Sequence, residues 1–183
     1  MTDDRAEIAL GELFKGNYDE ILAYCARRIG REEAEDAAAE VFAIASRRAK
    51  EIDWATARAW LYGIARGVLA NRWRSLYRRQ RIFGLIAGMA PTSEDRPDEV
   101  VIRRAEDRAA IAALRQMRPI DREVLMLSAW EELTSPQIAR ALGISVTAAE
   151  QRLHRAKHRY ARKLGPVSVA RGRGFTFENE GGN

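Results

Sequence analysis

Apolar residues recur along this chain at intervals of three and four, the spacing of one helical face. No stretch alternates with the period of two that a half-buried strand requires. The pattern predicts helices at about 8–29, 32–51, 55–81, 100–117, 121–130, 135–142 and 146–164. Gly30 fits a C-terminal stop for the first of these, and Pro119 a boundary before the fifth. In the third, Trp60, Leu61, Ile64, Ala65, Val68 and Leu69 form the stripe that faces a core. Periodicity lapses after Gly84, where GLIAGMAPTSEDRP brings two glycines, two prolines and a polar cluster. Its apolar start, Leu85-Ile86, suits packing on the preceding helix. The fold expected is all-α: two small helical domains, 1–83 and 104–165, joined by a flexible linker over 84–103. A flexible tail over 166–183 follows, carrying Phe175 and Phe177. No internal repeat is visible.

The last two helices are short and close together, TSPQIARALGISVTAAEQRLHRAKHRYARKL. Thr134 and Gln137 have capping-box spacing, and Ser135 before Pro136 is an equally good start signal. Ile138, Ala139, Leu142, Ile144, Ala149 and Leu153 supply a seam, its alanines small enough for close helix approach. Gly143 stands where the chain turns sharply and φ becomes positive, and Ser145 is placed to cap the second helix. At roughly 100° per residue, Glu150, Gln151, His154 and Arg155 share the face away from the seam. From Arg152 to Lys163 there are six Lys/Arg and no Asp or Glu. This is the make-up of a helix-turn-helix whose second helix enters the DNA major groove, where Arg and Lys meet phosphates and base edges. Ser145, Thr147 and Arg152 join those four as candidate duplex contacts. A solvated helical hairpin would carry the charge, but would not require the caps, the turn glycine and the small seam together. Glu150 has two roles open to it: accepting from cytosine N4, or pairing with Lys157 or Arg122.

Net charge is +5 over 183 residues, and it is unevenly spread. The first fifty residues are net acidic, while 51–83 and 106–165 are net basic. Two basic blocks suit two nucleic-acid surfaces, and the acidic block suits a surface of another kind. Hydrophobic residues make up 46% of the chain, enough for packed cores, which excludes wholesale disorder. The single cysteine, Cys25, excludes an internal disulfide framework and reads as a small buried residue. The N-terminus is acidic and polar rather than signal-like, and no apolar run reaches the ~18 residues of a membrane span. A cytoplasmic protein with no membrane insertion is expected.

The acidic block centres on REEAEDAAAEVFAIASRR, where Glu33, Asp36 and Glu40 lie on one helical stripe. Acidic residues in a first turn complement the helix dipole, but a row of carboxylates beside apolar residues is also a docking face for a basic protein. The following basic block combines Arg with aromatics. Trp73 and Tyr77, four apart, are bracketed by Arg72, Arg74, Arg78 and Arg79. Rings that stack on unpaired bases, with guanidinium groups on the phosphates, suit single-stranded nucleic acid. An exposed basic helix with its aromatics partly in the core is the alternative.

Taken in order, EEAEDAAAEVF, ARAWLYGIARGVLANRWR and PIDREVLMLSAWEELTSPQIARALGISVTAAEQRLHRAK resemble a bacterial RNA polymerase sigma factor of the two-domain extracytoplasmic-function group, over roughly residues 10–165. The resemblance implies a promoter-specificity subunit whose partners are core RNA polymerase (its β′ clamp helices and β flap), promoter DNA both duplex and melted, and an anti-sigma factor. It places Glu33, Asp36 and Glu40 on the clamp helices, with Ala39 where a glutamine is usual. It places Trp54, in the loop 52–56, with Asn71, Arg72, Trp73, Arg74, Tyr77 and Arg78 on the minus-ten element that is recognised and melted. Gly67 falls where a pocket-lining asparagine can occur. It places Ser145, Thr147, Glu150, Gln151, Arg152, His154 and Arg155 on the minus-thirty-five element, Glu150 departing from the frequent basic residue.

No catalytic constellation, cofactor or metal site is expected: there is no phosphate-binding glycine loop, and both histidines lie on the DNA-facing helix. Two other functions fit parts of the pattern. One is a helix-turn-helix activator or repressor that is not a polymerase subunit. The other is a helical interaction protein that sequesters a partner. The Trp73/Tyr77/arginine cluster separates the first reading from both.

Overall fold

The computed structural model describes residues 2–87 and 105–164, and among these all regular structure is helical. The chain divides into two compact units. The first carries α1 (Thr2–Ile29), α2 (Arg31–Arg47) and α3 (Ala57–Ala87), with two 3-10 turns, Ala49–Glu51 and Trp54–Thr56, between the last two. The second carries α4 (Ala105–Arg115), α5 (Pro119–Ala129), α7 (Val146–Leu164) and most of α6 (Ser135–Leu142).

In the first unit the three helices pack pairwise on one another. Helix α2 is alanine-rich, with strong intrinsic helix propensity, and its acidic first turn, Glu32 and Glu33, complements the helix dipole. It buries Ala34, Ala37, Ala38, Val41, Phe42 and Ala45, a stripe at alternating steps of three and one. Four alanines on that stripe let α2 approach its neighbours closely, and larger groups fill the rest. Ile21, Tyr24 and Cys25 come from α1, and Trp60, Leu61, Tyr62, Ile64, Ala65, Val68 and Leu69 from α3. The Tyr24 and Tyr62 rings meet edge to face at 5.3 Å, and Phe14 meets Phe42 likewise at 4.7 Å. Such contacts contribute about 0.5–1.5 kcal/mol each beyond area burial. Cys25 is a buried thiol in this core, as its composition suggested.

Gly30, at φ 83°, separates α1 from α2. Its amide donates to Ala26 O at 3.1 Å to close α1, and it precedes the first residue of α2. One residue in a left-handed conformation thus ends one helix and starts the next.

The second unit has a smaller core: Ala113, Leu114 and Met117 by α4, Leu125 from α5, and Ala156 and Tyr160 from α7. Pro119 lies at the first position of α5, where its fixed φ suits a helix and its missing N–H costs nothing. Proline therefore begins this helix rather than standing before it.

Most differences from the expected elements are at ends. Helix α1 begins at Thr2 rather than near residue 8. The second helix stops at Arg47, and 49–51 form a separate 3-10 turn fastened by an Arg48–Glu51 ion pair of 2.5 Å. Helix α3 runs to Ala87, so residues 84–87 at the head of the expected linker are helical. One interior glycine costs about 1 kcal/mol and does not forbid a helix, and Leu85, Ile86 and Ala87 are all compatible with one. The remainder of the expected linker, 88–103, and the expected tail, 166–183, lie outside the described residues. No described helix is long and apolar enough to cross a membrane.

Candidate nucleic-acid interface

Helices α6 and α7 match the sequence expectation residue for residue, because local hydrogen bonds fix both. The Gln137 side chain accepts from the Thr134 amide at 2.9 Å, and Ile138 N–H donates to Thr134 O at 2.8 Å, starting α6. At its end Ile144 N–H reaches Ala139 O at 3.0 Å and Gly143 N–H reaches Arg140 O at 3.4 Å. This is the paired Schellman closure, with Gly143 at φ 66° as the left-handed residue. Ser145 Oγ then accepts from Ala148 N–H at 3.2 Å, capping α7. Ile138, Ala139, Leu142 and Ala149 are buried as the seam required; Ile144 and Leu153 are half-buried.

Glu150, Gln151, His154 and Arg155 are exposed and line one shallow depression on α7. Ser145 and Thr147 at the start of the helix are exposed, and Arg152 on its flank is half-buried. The Glu150 carboxylate lies on this exposed face. His154 and His158 bring their Nε2 atoms to 3.1 Å, rings edge to face. Among the described residues, no group of three or more His, Cys, Asp or Glu is arranged to hold a metal. The basic residues of α7 divide into anchoring and exposed ones. Arg159 pairs with the buried Asp121 of α5, and Lys163 Nζ donates to Gln116 Oε1, 47 positions earlier, at 3.2 Å. These two anchor the helix, while Arg155, one turn before Arg159, stays exposed. Burial pushes the Tyr160 hydroxyl above its ordinary pKa on the anchored side.

In the first unit, Trp54 is exposed (47%) at the head of the second 3-10 turn. Asp53 sets that turn: Oδ1 accepts from Ala55 N–H at 3.1 Å and Oδ2 from Thr56 Oγ1 at 3.0 Å. On α3, Asn71, Arg74 and Arg78, at spacings of three and four, are exposed together, and Asn71 Oδ1 accepts from Arg74 Nη2. Trp73 is half-buried, and the Tyr77 side chain lies outside the described residues. Arg72 turns to the other side, where its Nε and Nη2 reach one oxygen of Glu40 on α2 at 3.3 and 3.0 Å. Glu33 and Asp36 stay exposed on α2. The seven candidates on the loop and α3 therefore do not share one face, and Glu40 and Arg72, assigned to different partners, meet each other.

Two contributors lie outside the residues the sequence singles out. Asp53 has a recognisable signal, an Asp two residues ahead of a turn's amide. Glu20 has none: its Oε2 accepts from Arg58 Nε at 2.9 Å and from the Tyr62 hydroxyl at 3.2 Å, groups about 40 residues away on another helix.

Two family models match the chain in order, "Sigma-70 region 2" over residues 13–79 and "Sigma-70, region 4" over residues 107–159. The ECF RNA polymerase sigma factor SigL of Mycobacterium tuberculosis is 33% identical over 174 residues, covering 91% of this chain and 97% of its own. The RNA polymerase sigma factor YlaC of Bacillus subtilis is 30% identical over 154 residues, covering 81% and 88%. Among solved structures, CnrH in complex with the cytosolic domain of CnrY superposes with a TM-score of 0.56 at 26% identity, covering 86% of this chain and 88% of CnrH.

Proposed function

The chain belongs to the sigma-70 family of RNA polymerase sigma factors, in its extracytoplasmic-function group, and from that membership we infer how its two units divide promoter recognition. As a sigma factor it binds core polymerase and directs initiation. The phosphodiester chemistry belongs to the polymerase, and the place of action is the cytoplasm, where polymerase and promoter are.

The second unit takes the duplex upstream element. Its α7 offers Gln151 and, one turn on, Arg155 to base edges, with Glu150 as an acceptor for cytosine N4 and His154 beside them. Ser145, Thr147 and Arg152 take phosphates, which gives register and a salt-sensitive share of affinity. The first unit takes polymerase and the downstream element. Glu33 and Asp36 offer exposed carboxylates to the β′ clamp helices, with Glu40 at the inner end of that stripe. Opening the duplex costs a few kcal/mol per unstacked step, roughly; Trp54, Trp73 and Tyr77 offset this by stacking on released bases, and Asn71, Arg72, Arg74 and Arg78 by polar and phosphate contacts. The span between the units lets both engage one promoter, which raises effective concentration without new contacts. An anti-sigma factor is the expected regulator; the similar CnrH was solved with the cytosolic domain of CnrY bound.

The observation that carries this division is the exposed Glu150–Arg155 face of α7, held by caps at both ends of its turn. A helix-turn-helix regulator acting apart from polymerase would not need a region 2 match across the first unit. Core polymerase reconstituted with this chain should initiate from a cognate promoter in a saturating library. Asp36→Arg should weaken core binding while leaving helicity and melting unchanged. Initiation at no promoter, or full core affinity in Asp36→Arg, would overturn the assignment.

A further inference from the structure

We propose that Arg72 regulates polymerase docking, by occupying in the free chain a carboxylate that the polymerase needs. The inference rests on the reading above, in which the acidic stripe of α2 meets polymerase and the basic side of α3 meets melted DNA. Of the three carboxylates on that stripe, Glu33 and Asp36 are exposed and make no ion pair with a described residue. Glu40 differs. Two N–H groups of Arg72 converge on its Oε2, at 3.3 and 3.0 Å, and the two side chains are 42% and 25% exposed. The pair joins α2 to α3, so it joins the two surfaces.

A carboxylate already matched to a guanidinium attracts an incoming cation less than a free one does. A polymerase Lys or Arg that approaches Glu40 must displace Arg72 or share the carboxylate with it. Displacement releases Arg72, whose charge and donors then become available to the phosphates of an opened strand. The reverse also holds: a strand that draws Arg72 away leaves Glu40 free for polymerase. Coupling of this kind is reciprocal by linkage, so polymerase and melted DNA each favour the other's binding. A partly exposed ion pair contributes little, which sets the effect at about two- to fivefold in affinity.

The distinguishing consequence is that removal of an arginine assigned to DNA tightens binding to a protein. Core-polymerase affinity of the full chain, measured by fluorescence anisotropy at low salt without DNA, should rise about two- to fivefold in Arg72→Ala and in Arg72→Gln. In a Glu40→Gln background the same substitutions should change nothing, because the carboxylate they release is gone. Circular dichroism and thermal melting of each variant establish that it is folded, and the Arg72→Gln variant keeps the stem of the side chain should Arg72→Ala loosen α3. Unchanged or weaker affinity in both variants overturns the proposal. An equal rise with and without Glu40 also overturns it, since the cause is then net charge alone. Asp36→Arg in the same assay separates the levels: if it weakens binding while Arg72 variants do not, only the Arg72 proposal falls. If it binds as the parent does, the docking surface falls and the proposal with it.

Discussion

In the first unit, basic side chains of α3 reach across the helices to acidic ones: Arg58 to Glu20 on α1, and Arg72 to Glu40 on α2. In the second unit, Arg159 and Lys163 of α7 reach across to residues before and in α5, while Gln151 and Arg155 of the same helix stay at the surface. Both segments read as basic blocks in the sequence, yet they hold their charge differently. The second unit presents a fixed face; the first holds charges in pairs that a partner can exchange. Net charge along a segment therefore measures how many cations it contains, and the packing decides how many face outward.

The largest test of the comparison is whether the units are separate at all. Leu61 and Leu125 are 0% and 1% exposed, one in each core. Truncation of either to alanine should cost about 2–5 kcal/mol. Hydrogen exchange should show Leu61→Ala losing protection in α1–α3 and Leu125→Ala losing it in α4–α7. Loss throughout the chain from either substitution would make the two-unit comparison untenable.

The next test concerns two arginines one turn apart on α7, one exposed and one anchored. Arg155→Ala should weaken binding to the upstream duplex by about 1–3 kcal/mol and relax base preference at one position, with melting temperature unchanged. Arg159→Ala should do the opposite: it leaves the buried Asp121 without its partner, lowers the melting temperature, and weakens duplex binding without altering base preference. A melting drop in Arg155→Ala, or a changed base preference in Arg159→Ala, would reverse the roles given to these two arginines.

This contrast also explains what was legible in the sequence. Both boundaries of α6 and the start of α7 could be read because the residues that set them are within five positions of each other: Thr134 with Gln137, Gly143 with Arg140, Ile144 with Ala139, Ser145 with Ala148. The exposed face of α7 followed from those boundaries by helical geometry. In the first unit the core stripe of α3 was equally plain, and Trp60, Leu61, Ile64, Ala65, Val68 and Leu69 are buried as their spacing requires. The charge pairs were not, because they depend on which helix lies beside which. Glu20 meets residues 38 and 42 positions away, and Glu40 meets one 32 positions away. The same limit explains Glu132, which takes a positive φ of 52° in the loop before α6 with no glycine or asparagine to signal it.

Two glycines compare the junctions directly. Gly143 and Gly30 have φ of 66° and 83°, and a Cβ at either would meet no atom within 4 Å. Substitution costs therefore come from the left-handed backbone alone, about 1–2 kcal/mol for each alanine variant. Gly143→Ala should also weaken upstream duplex binding, because the turn aims α7. Gly30→Ala should leave that binding unchanged while lowering protection of α1 and α2. If Gly30→Ala impairs duplex binding as much as Gly143→Ala, the reading of α7 does not depend on its own turn.

The smallest effect lies at the two ends of the pH scale. In the second unit, burial raises the Tyr160 hydroxyl above the ordinary tyrosine value of about 10. The folded unit then holds this proton more tightly than the unfolded chain does. The resulting stability is complete below about pH 10 and is lost as pH rises through the higher folded value. In the first unit, the hydrogen bond from Arg48 lowers the Glu51 carboxyl, so the corresponding contribution is present above the ordinary carboxylate range and lost as pH falls through the folded value. Glu51 is exposed, and solvent screening keeps its share small. Protection of α4–α7 should therefore decline above about pH 10, and Tyr160→Phe should flatten the decline while leaving the acid side as it was. An alkaline slope in α4–α7 that survives Tyr160→Phe intact would place the titrating group outside the core of the second unit.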